Sequence, residues 1–254
     1  MSIEPYQDKQ MPLLDHFEEL RQRIIKSLIA IVLCALSSLI LIKPLVRILE
    51  SPARSIRFLQ LAPGEFLFVS IKVAGYAGLV IATPYIVFQI LSFVLPGLTK
   101  NEKRLIAPAV AGSAFLFIGG LFFAWKTLLP AALNFLIGYG ADVVEPLWSI
   151  EKYLDFVLLL MFGTGLSFQI PILQMLLGLL GLITWQKMIS GWRWVVIASA
   201  VAGAVITPST DPITMLLLAS SISFLFLVGV FLVAITDQFK EQIPPTSSPP
   251  SNLN

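Results

Sequence analysis

Two short constellations in this chain are built to recognise charge. The first is Asp15-His-Phe-Glu-Glu-Leu-Arg-Gln-Arg23, where Glu19 and Arg23 stand four residues apart in the order that favours an ion pair on a helix. The second is Phe93-Val-Leu-Pro-Gly-Leu-Thr-Lys-Asn-Glu-Lys-Arg104, with one carboxylate, Glu102, among cations and an aromatic ring close by. A carboxylate accepts two parallel N–H bonds from a guanidinium, and a ring packs the aliphatic part of such a ligand. The blander readings are a surface pair worth a few tenths of a kcal/mol for Glu19 and Arg23, and for Glu102 a carboxylate that complements a helix N-terminus.

Other chemistry has little to stand on. The chain has no G-x-x-x-x-G-K-[ST], no H-E-x-x-H and no G-x-S-x-G. One cysteine, Cys34, and one histidine, His16, leave no internal disulfide framework and no Cys- or His-built metal site, so no catalytic residue, cofactor or metal is expected. An intramembrane protease would need a dyad that one histidine cannot supply. With 57% hydrophobic and 13% charged residues, against roughly 25% charged in a soluble domain, the composition is that of a membrane protein. A net charge of +2 leaves no footprint for nucleic acid.

The elements that must carry these residues follow from runs free of Asp, Glu, Lys and Arg. A hydrocarbon core of roughly 30 Å needs about 20 helical residues, and the runs place six spans near 24–45, 70–94, 105–128, 154–177, 194–208 and 213–236, the last two short. The run at 127–141, with Pro130, Asn134 and two glycines, reads as the end of span three plus a loop. The fold class is therefore an all-α, six-helix membrane bundle in a single domain over 1–239, its helices kinked around a concave face. Ten of the 17 basic residues fall at the termini and the even-numbered loops, which puts both termini on the cytoplasmic side. The offending segment is the first outer one, with Lys43, Arg47, Arg54, Arg57 and Lys72, two of which are expected to snorkel at helix ends. Residues 1–23 carry no apolar core of a cleavable signal, and 240–254, rich in Pro and Ser, reads as a disordered tail.

Asp15 is expected to cap the first helix, with Leu14, Phe17, Leu20 and Ile24 along one face at the inner interface. Within the spans the polar material is Gln89, Gln169 and Gln174, with Pro84, Pro96, Pro108, Pro171 and Pro208 to bend the helices. Gln169 lies about 21 Å along a helix begun at Asp155, at about 1.5 Å per residue; its amide is expected to bond the carbonyl released by Pro171 or a polar group on a docking helix. Ser199 and Gly203, with Ala200 and Ala204, form a small-residue face suited to close helix contact, within the chain or with a separate partner.

In order and spacing, these pieces resemble the TatC family, the multispanning C subunit of the twin-arginine protein translocase. The matching residues are His16-x-x-Glu19-Leu20-x-x-Arg23, Ser51-Pro52, Glu65-Phe66, Thr83-Pro84-x-x-x-x-Gln89-x-x-x-Phe93-x-x-Pro96-Gly97-Leu98-x-x-x-Glu102-x-Arg104, Gly165-x-x-Phe168-Gln169-x-Pro171 and Thr207-Pro208-x-x-Asp211. The resemblance implies a non-enzymatic receptor for folded cargo bearing Arg-Arg signal peptides, working with single-span TatA/TatB-type subunits in an oligomeric complex and driven by the proton gradient without ATP. It implies that Glu19, Arg21, Phe93, Glu102 and Arg104 form an inner signal-binding surface, and that Pro52 and Asp211 serve in outer loops. It places the protein in a bacterial inner membrane or a thylakoid. Much of the bacterial family has a glutamate where this chain has Gln169, and glutamine is similar to the cyanobacterial and plastid branch. A small-solute transporter with a kinked-helix cavity is the alternative from a different class.

Overall fold

The computed structural model describes residues 13–53, 56–94, 106–139, 147–207 and 211–241. Glu102, Arg104, most of the C-terminal tail (242–254) and residues 1–12 lie outside the described residues.

The first helix, α1 (Leu13–Ile40), is about 42 Å long at about 1.5 Å per residue, enough to cross a bilayer. Asp15 sits inside its first turn rather than at a cap, and Phe17 and Ile24 are exposed on its surface. The expected continuation to residue 45 is corrected by a break at Leu41, after which α2 (Ile42–Glu50) begins. Pro44 is the cause: it has no N–H for the carbonyl of Ile40, but it fits the first turn of a new helix, where that donor is not needed.

α3 (Glu65–Val94) runs unbroken through Pro84, and α1 packs along it. The crossing is close because a Cβ at Gly78 would lie 2.6 Å from the backbone nitrogen of Ala35. A helix lacking bulk at one position lets its neighbour approach in this way.

α4 (Ile106–Phe123) passes through a π-helical turn, Ala124–Leu128, into α5 (Leu129–Tyr139). The run at 127–141, expected to be the end of span three plus a loop, is thus helix as far as Tyr139. The π turn absorbs Pro130 by shifting the bonding register, with the Leu129 N–H donating to Ala124 O. Burial of Leu129, Ala132 and Leu133 offsets the weak helix formers around them.

α6 (Ile150–Ser167) begins four residues earlier than expected, capped by Ser149, whose hydroxyl accepts from the Lys152 N–H at 3.3 Å. It stops at Phe168–Gln169, and α7 (Ile170–Leu179) resumes with Pro171 in its first turn. Gly181, at φ +68°, ends α7 in the left-handed region, and the Leu182 N–H reaches back to Leu177 O at 3.1 Å. Then come α8 (Trp185–Ser190), α9 (Trp192–Ile206) and α10 (Pro212–Glu241).

Two three-residue strands, β1 (Arg57–Leu59) and β2 (Leu147–Ser149), pair in parallel with Arg57 opposite Leu147. This small pair is the exception to the all-α expectation. Among the described residues, five helical stretches are long and apolar enough to cross a membrane, and α9 is a shorter apolar helix. The largest core cluster sits where α3, the π turn, α6 and α10 meet, around Val73, Leu128, Val157, Leu160 and Leu218.

Candidate functional site

His16, Glu19 and Arg23 fall at i, i+3 and i+7, one stripe of α1, and that stripe faces the C-terminal end of α3. The His16 ring stacks on Phe93, centroids 4.2 Å apart at 17°. Arg23 donates through Nε to Glu19 Oε1 at 2.9 Å, bonds the same oxygen through Nη2, and donates through Nη1 to Gln89 Oε1 at 3.1 Å. The Glu19–Arg23 pair is thus no exposed surface pair: each side chain is 22% exposed, and Gln89 is buried. The second carboxylate oxygen of Glu19, Oε2, is buried with no partner among the described residues, and Ser92 Oγ, beside Phe93, is in the same condition. A buried carboxylate oxygen without a donor costs free energy, and a guanidinium or amide N–H from a ligand would relieve it. Arg21 is directed elsewhere, pairing with Glu18 at 2.5 Å with its side chain 68% exposed.

The Gln169 amide bonds within the chain, to a polar group on a packed helix rather than to the carbonyl released by Pro171. Its Nε2 donates to Ser113 O at 3.2 Å, and its Oε1 accepts from Ser113 Oγ at 2.5 Å, so it fastens the α6–α7 break to α4. Both residues are buried. The carbonyl of Ser167 is not its partner because the break turns the amide towards α4.

Of the two uses expected for the small-residue face of α9, the described structure holds the one within the chain. Ser199 Oγ lies 2.9 Å from Ser223 Oγ on α10, and a Cβ at Gly203 would come 2.9 Å from Met215 O. Both residues are buried, so the surface left to a partner is the opposite face, where Ile197, Val201 and Val205 are exposed.

At the far end of the bundle Pro52 is half-buried in a 3-10 turn, Ser51–Ala53. Asp211, 1% exposed, caps α10: its carboxylate accepts the Ile213 N–H at 3.0 Å, the Thr214 N–H at 3.1 Å and the Thr214 hydroxyl. The end of α9, just before Asp211 in sequence, lies deep along α6. A Cβ at Gly163 would meet Ile206, at the end of α9, at 2.5 Å, and Gly163 is about 20 Å along α6 at about 1.5 Å per residue.

Two polar clusters here escaped the sequence reading. Buried Glu65 accepts from the Leu61 N–H at 2.5 Å, the Ala62 N–H at 3.1 Å, Ser149 Oγ at 2.6 Å and the Glu151 N–H at 3.3 Å, which staples the strand pair to the starts of α3 and α6. Lys72 does not snorkel; it donates to Glu151 at 2.8 Å and to Asp155 at 2.9 Å across the α3–α6 contact. The i, i+4 spacing of Glu151 and Asp155 was the legible signal, because it puts both carboxylates on one face.

Residues 15–220 match the family model described as Sec-independent protein translocase protein (TatC). The chain is 54% identical over 228 residues to the Sec-independent protein translocase protein TatC of Synechocystis, covering 90% of both chains. To the chloroplastic TATC protein of Pisum sativum it is 51% identical over 230 residues, 90% of this chain and 65% of that one. A crystal structure titled Twin Arginine Translocase Receptor TatC superposes with a TM-score of 0.77 at 32% identity, covering 87% of this chain and 99% of that chain. This chain, a multispanning membrane protein and not an enzyme, thus belongs to the TatC family of Sec-independent protein translocase proteins.

Proposed function

We propose that this chain receives Arg-Arg signal peptides of folded cargo at the end of the bundle where α1 meets the C-terminus of α3, with Glu19 and Glu102 as guanidinium acceptors and Phe93 packing the peptide's apolar part. The observation that carries this is the buried Oε2 of Glu19, without a partner among the described residues, three residues from His16, whose ring lies on Phe93. Glu102 and Arg104 follow Phe93 closely in sequence. Arg21, exposed on the flank, then serves as a contact for acidic or polar groups of the incoming peptide. The name of the matched crystal structure, a twin-arginine translocase receptor, supports the same reading.

The remaining parts of the proposal rest on membership of the family. The chain works with single-span partner subunits, which reach it along the exposed face of α9; α9 acts as the fifth and shortest of six spans. The proton gradient drives transport. Both termini lie on the cytoplasmic or stromal side, of a thylakoid or a bacterial inner membrane, in keeping with the cyanobacterial and chloroplast relatives. Pro52 and Asp211 contribute through the elements they hold in place.

The test is photocrosslinking from Phe93 and from Lys103 to a membrane-presented Arg-Arg peptide, set against its Lys-Lys twin. Lysine keeps the charge and loses the planar fork, so crosslinks should appear with Arg-Arg, fall sharply with Lys-Lys, and weaken in Glu102→Ala. Equal crosslinking by the two peptides would overturn the site assignment.

A further inference from the structure

We propose that α2 and the groove beneath it form a binding site for an anionic glycerolipid, with the headgroup phosphate on Lys43 and Arg47 and an acyl chain in the groove. The site lies at the end of the bundle away from the start of α1.

α2 is two-faced. Lys43 and Arg47 are exposed, four residues apart and therefore on one side, while Leu45 and Leu49 point the other way, towards the body of the bundle. Between the faces runs an exposed apolar flank, Leu41 at 59% and Ile48 at 56% exposure. Below lies a cavity of about 290 Å³, near the small end of ligand-sized pockets at about 300 Å³. Leu41, Leu45 and Ile48 roof it, and Tyr76 and Val80 of α3 and Phe162 of α6 form its walls. Its lining is almost entirely apolar, and the Ser38 hydroxyl at its edge is already donated to Cys34 O at 2.8 Å. Such a groove offers a polar solute nothing to bond, whereas an alkyl chain loses nothing by entering it.

The charge pattern names the headgroup. The first outer segment carries five cations where lysine and arginine are ordinarily sparse. Lys72 is accounted for by its carboxylates, and Arg54 is outside the described residues. Lys43, Arg47 and Arg57 are left exposed with no ion pair within 4 Å among the described residues, Arg47 having the Glu50 carboxylate one turn on as an electrostatic neighbour. Lysine and arginine stems lie along apolar surface while their heads reach the headgroup level. On an interfacial helix whose other side opens on an alkyl-sized groove, cations in that position fit a lipid phosphate. A zwitterionic lipid cancels part of the attraction, so the fit is to an anionic one.

The full chain, purified in mild detergent, would be offered phosphatidylglycerol or phosphatidylcholine, and retained lipid measured by native mass spectrometry. Phosphatidylglycerol should be held preferentially, and Lys43→Gln with Arg47→Gln should weaken it about 25-fold, taking about fivefold for each cation lost. The swap Lys43→Arg with Arg47→Lys should retain the preference, which separates lost charge from lost folding. For the chain in the groove, Trp125 is a reporter, since its indole donates to Ile48 O at 3.4 Å. Phosphatidylglycerol with brominated acyl chains should quench a Trp125 component that vanishes in Trp125→Phe, and Val80→Trp, which fills the groove, should abolish lipid retention. Equal retention of the two lipids, full retention by the Gln double variant, or crosslinking from Leu45 to a second copy in place of lipid would each overturn the proposal.

Discussion

Gly78 governs where the charged stripe of α1 stands, and replacing it by alanine tests that dependence. The built Cβ would lie 2.6 Å from Ala35 N and 2.7 Å from both Ala35 Cα and Cβ, about 1 Å short of the ~3.5 Å at which non-bonded atoms rest. The obstacle is backbone, so no rotamer relieves it and the helices must separate. Overpacking of this kind costs about 1–3 kcal/mol, and the better helix propensity of alanine returns up to about 1 kcal/mol. The net loss is about 1–2 kcal/mol, or a fall of roughly 2–8 °C in thermal midpoint for a chain of this size. Gly75 is the control, because it stands one turn away on the same helix with nothing within 4 Å of its Cβ position; Gly75→Ala should be neutral or slightly stabilising. Cys34, the only cysteine in the sequence, adjoins Ala35 and is half-buried, so its rate of maleimide labelling reads the gap directly. Only 6% of the membrane window of α1 is buried, so few other contacts can hold the helix in place. Gly78→Ala should lower the midpoint and speed Cys34 labelling together. A variant matching Gly75→Ala in both measurements would refute the claim that this crossing positions Glu19 and Arg23.

Glu65→Ala removes one acceptor from four donors and should cost about 3–5 kcal/mol by chemical or thermal unfolding, at about 1 kcal/mol or more for each bond to a charged group. Asp211→Ala should cost about 1–2 kcal/mol through the lost cap, and Asp211→Asn less, because its single amide oxygen keeps part of the cap while its NH2 replaces one acceptor. If Asp211→Asn keeps stability and loses export, the charge rather than the cap is what transport needs. Burial pushes the Glu50 carboxyl above the usual carboxylate range, with Arg47 opposing. A raised carboxyl means that the folded chain holds the proton more tightly than the unfolded one, so Glu50 disfavours folding above its folded pKa and the penalty fades as pH falls through it. Glu50→Gln should therefore be more stable than wild type at about pH 7, and the gap should narrow as pH falls through the raised folded pKa and close only below the ordinary glutamate pKa of about 4.3; a gap that does not change with pH would refute the assignment.

Much of this architecture is written in local pattern. Charge-free runs locate the long helices because lipid tolerates few ions, and the i, i+4 pair of Glu19 and Arg23 is visible at once. What local pattern cannot carry is which helix a polar group meets. Gln169 was legible as a buried amide in need of partners, yet Ser113 stands 56 positions away and is one serine among many. Lys72 was one of five outer cations with no visible partner, because its two carboxylates, 79 and 83 residues on, come near only when α3 and α6 pack. Pro130 argued against a helix in the sequence, but a single π turn shifts the register enough to accommodate it. The small face of α9 illustrates the same limit, since spacing announces a close contact and says nothing about whether the neighbour belongs to the same chain.

The two ends of the bundle treat their carboxylates in opposite ways. At the strand-bearing end both oxygens of Glu65 are satisfied by the chain's own donors, and the carboxylate of buried Asp211 takes three. These bonds tie the strand pair and the start of α10 to the chain's own donors. Where α1 meets the end of α3, Glu19 spends one oxygen on Arg23 and keeps the other buried without a partner among the described residues. Folding alone would favour a donor there or a smaller side chain, because an unsatisfied buried acceptor costs about 1–3 kcal/mol. On the proposed function, this local exception is the acceptor that a ligand's guanidinium would use. Glu19→Gln separates this account from a purely structural one. If Oε2 awaits a guanidinium, the amide should leave stability near wild type, since it still offers Oε1 to Arg23, and should weaken Arg-Arg peptide binding about tenfold or more through loss of the charge-assisted fork. A variant that loses stability and keeps its peptide affinity would show that Glu19 serves the helix pair alone.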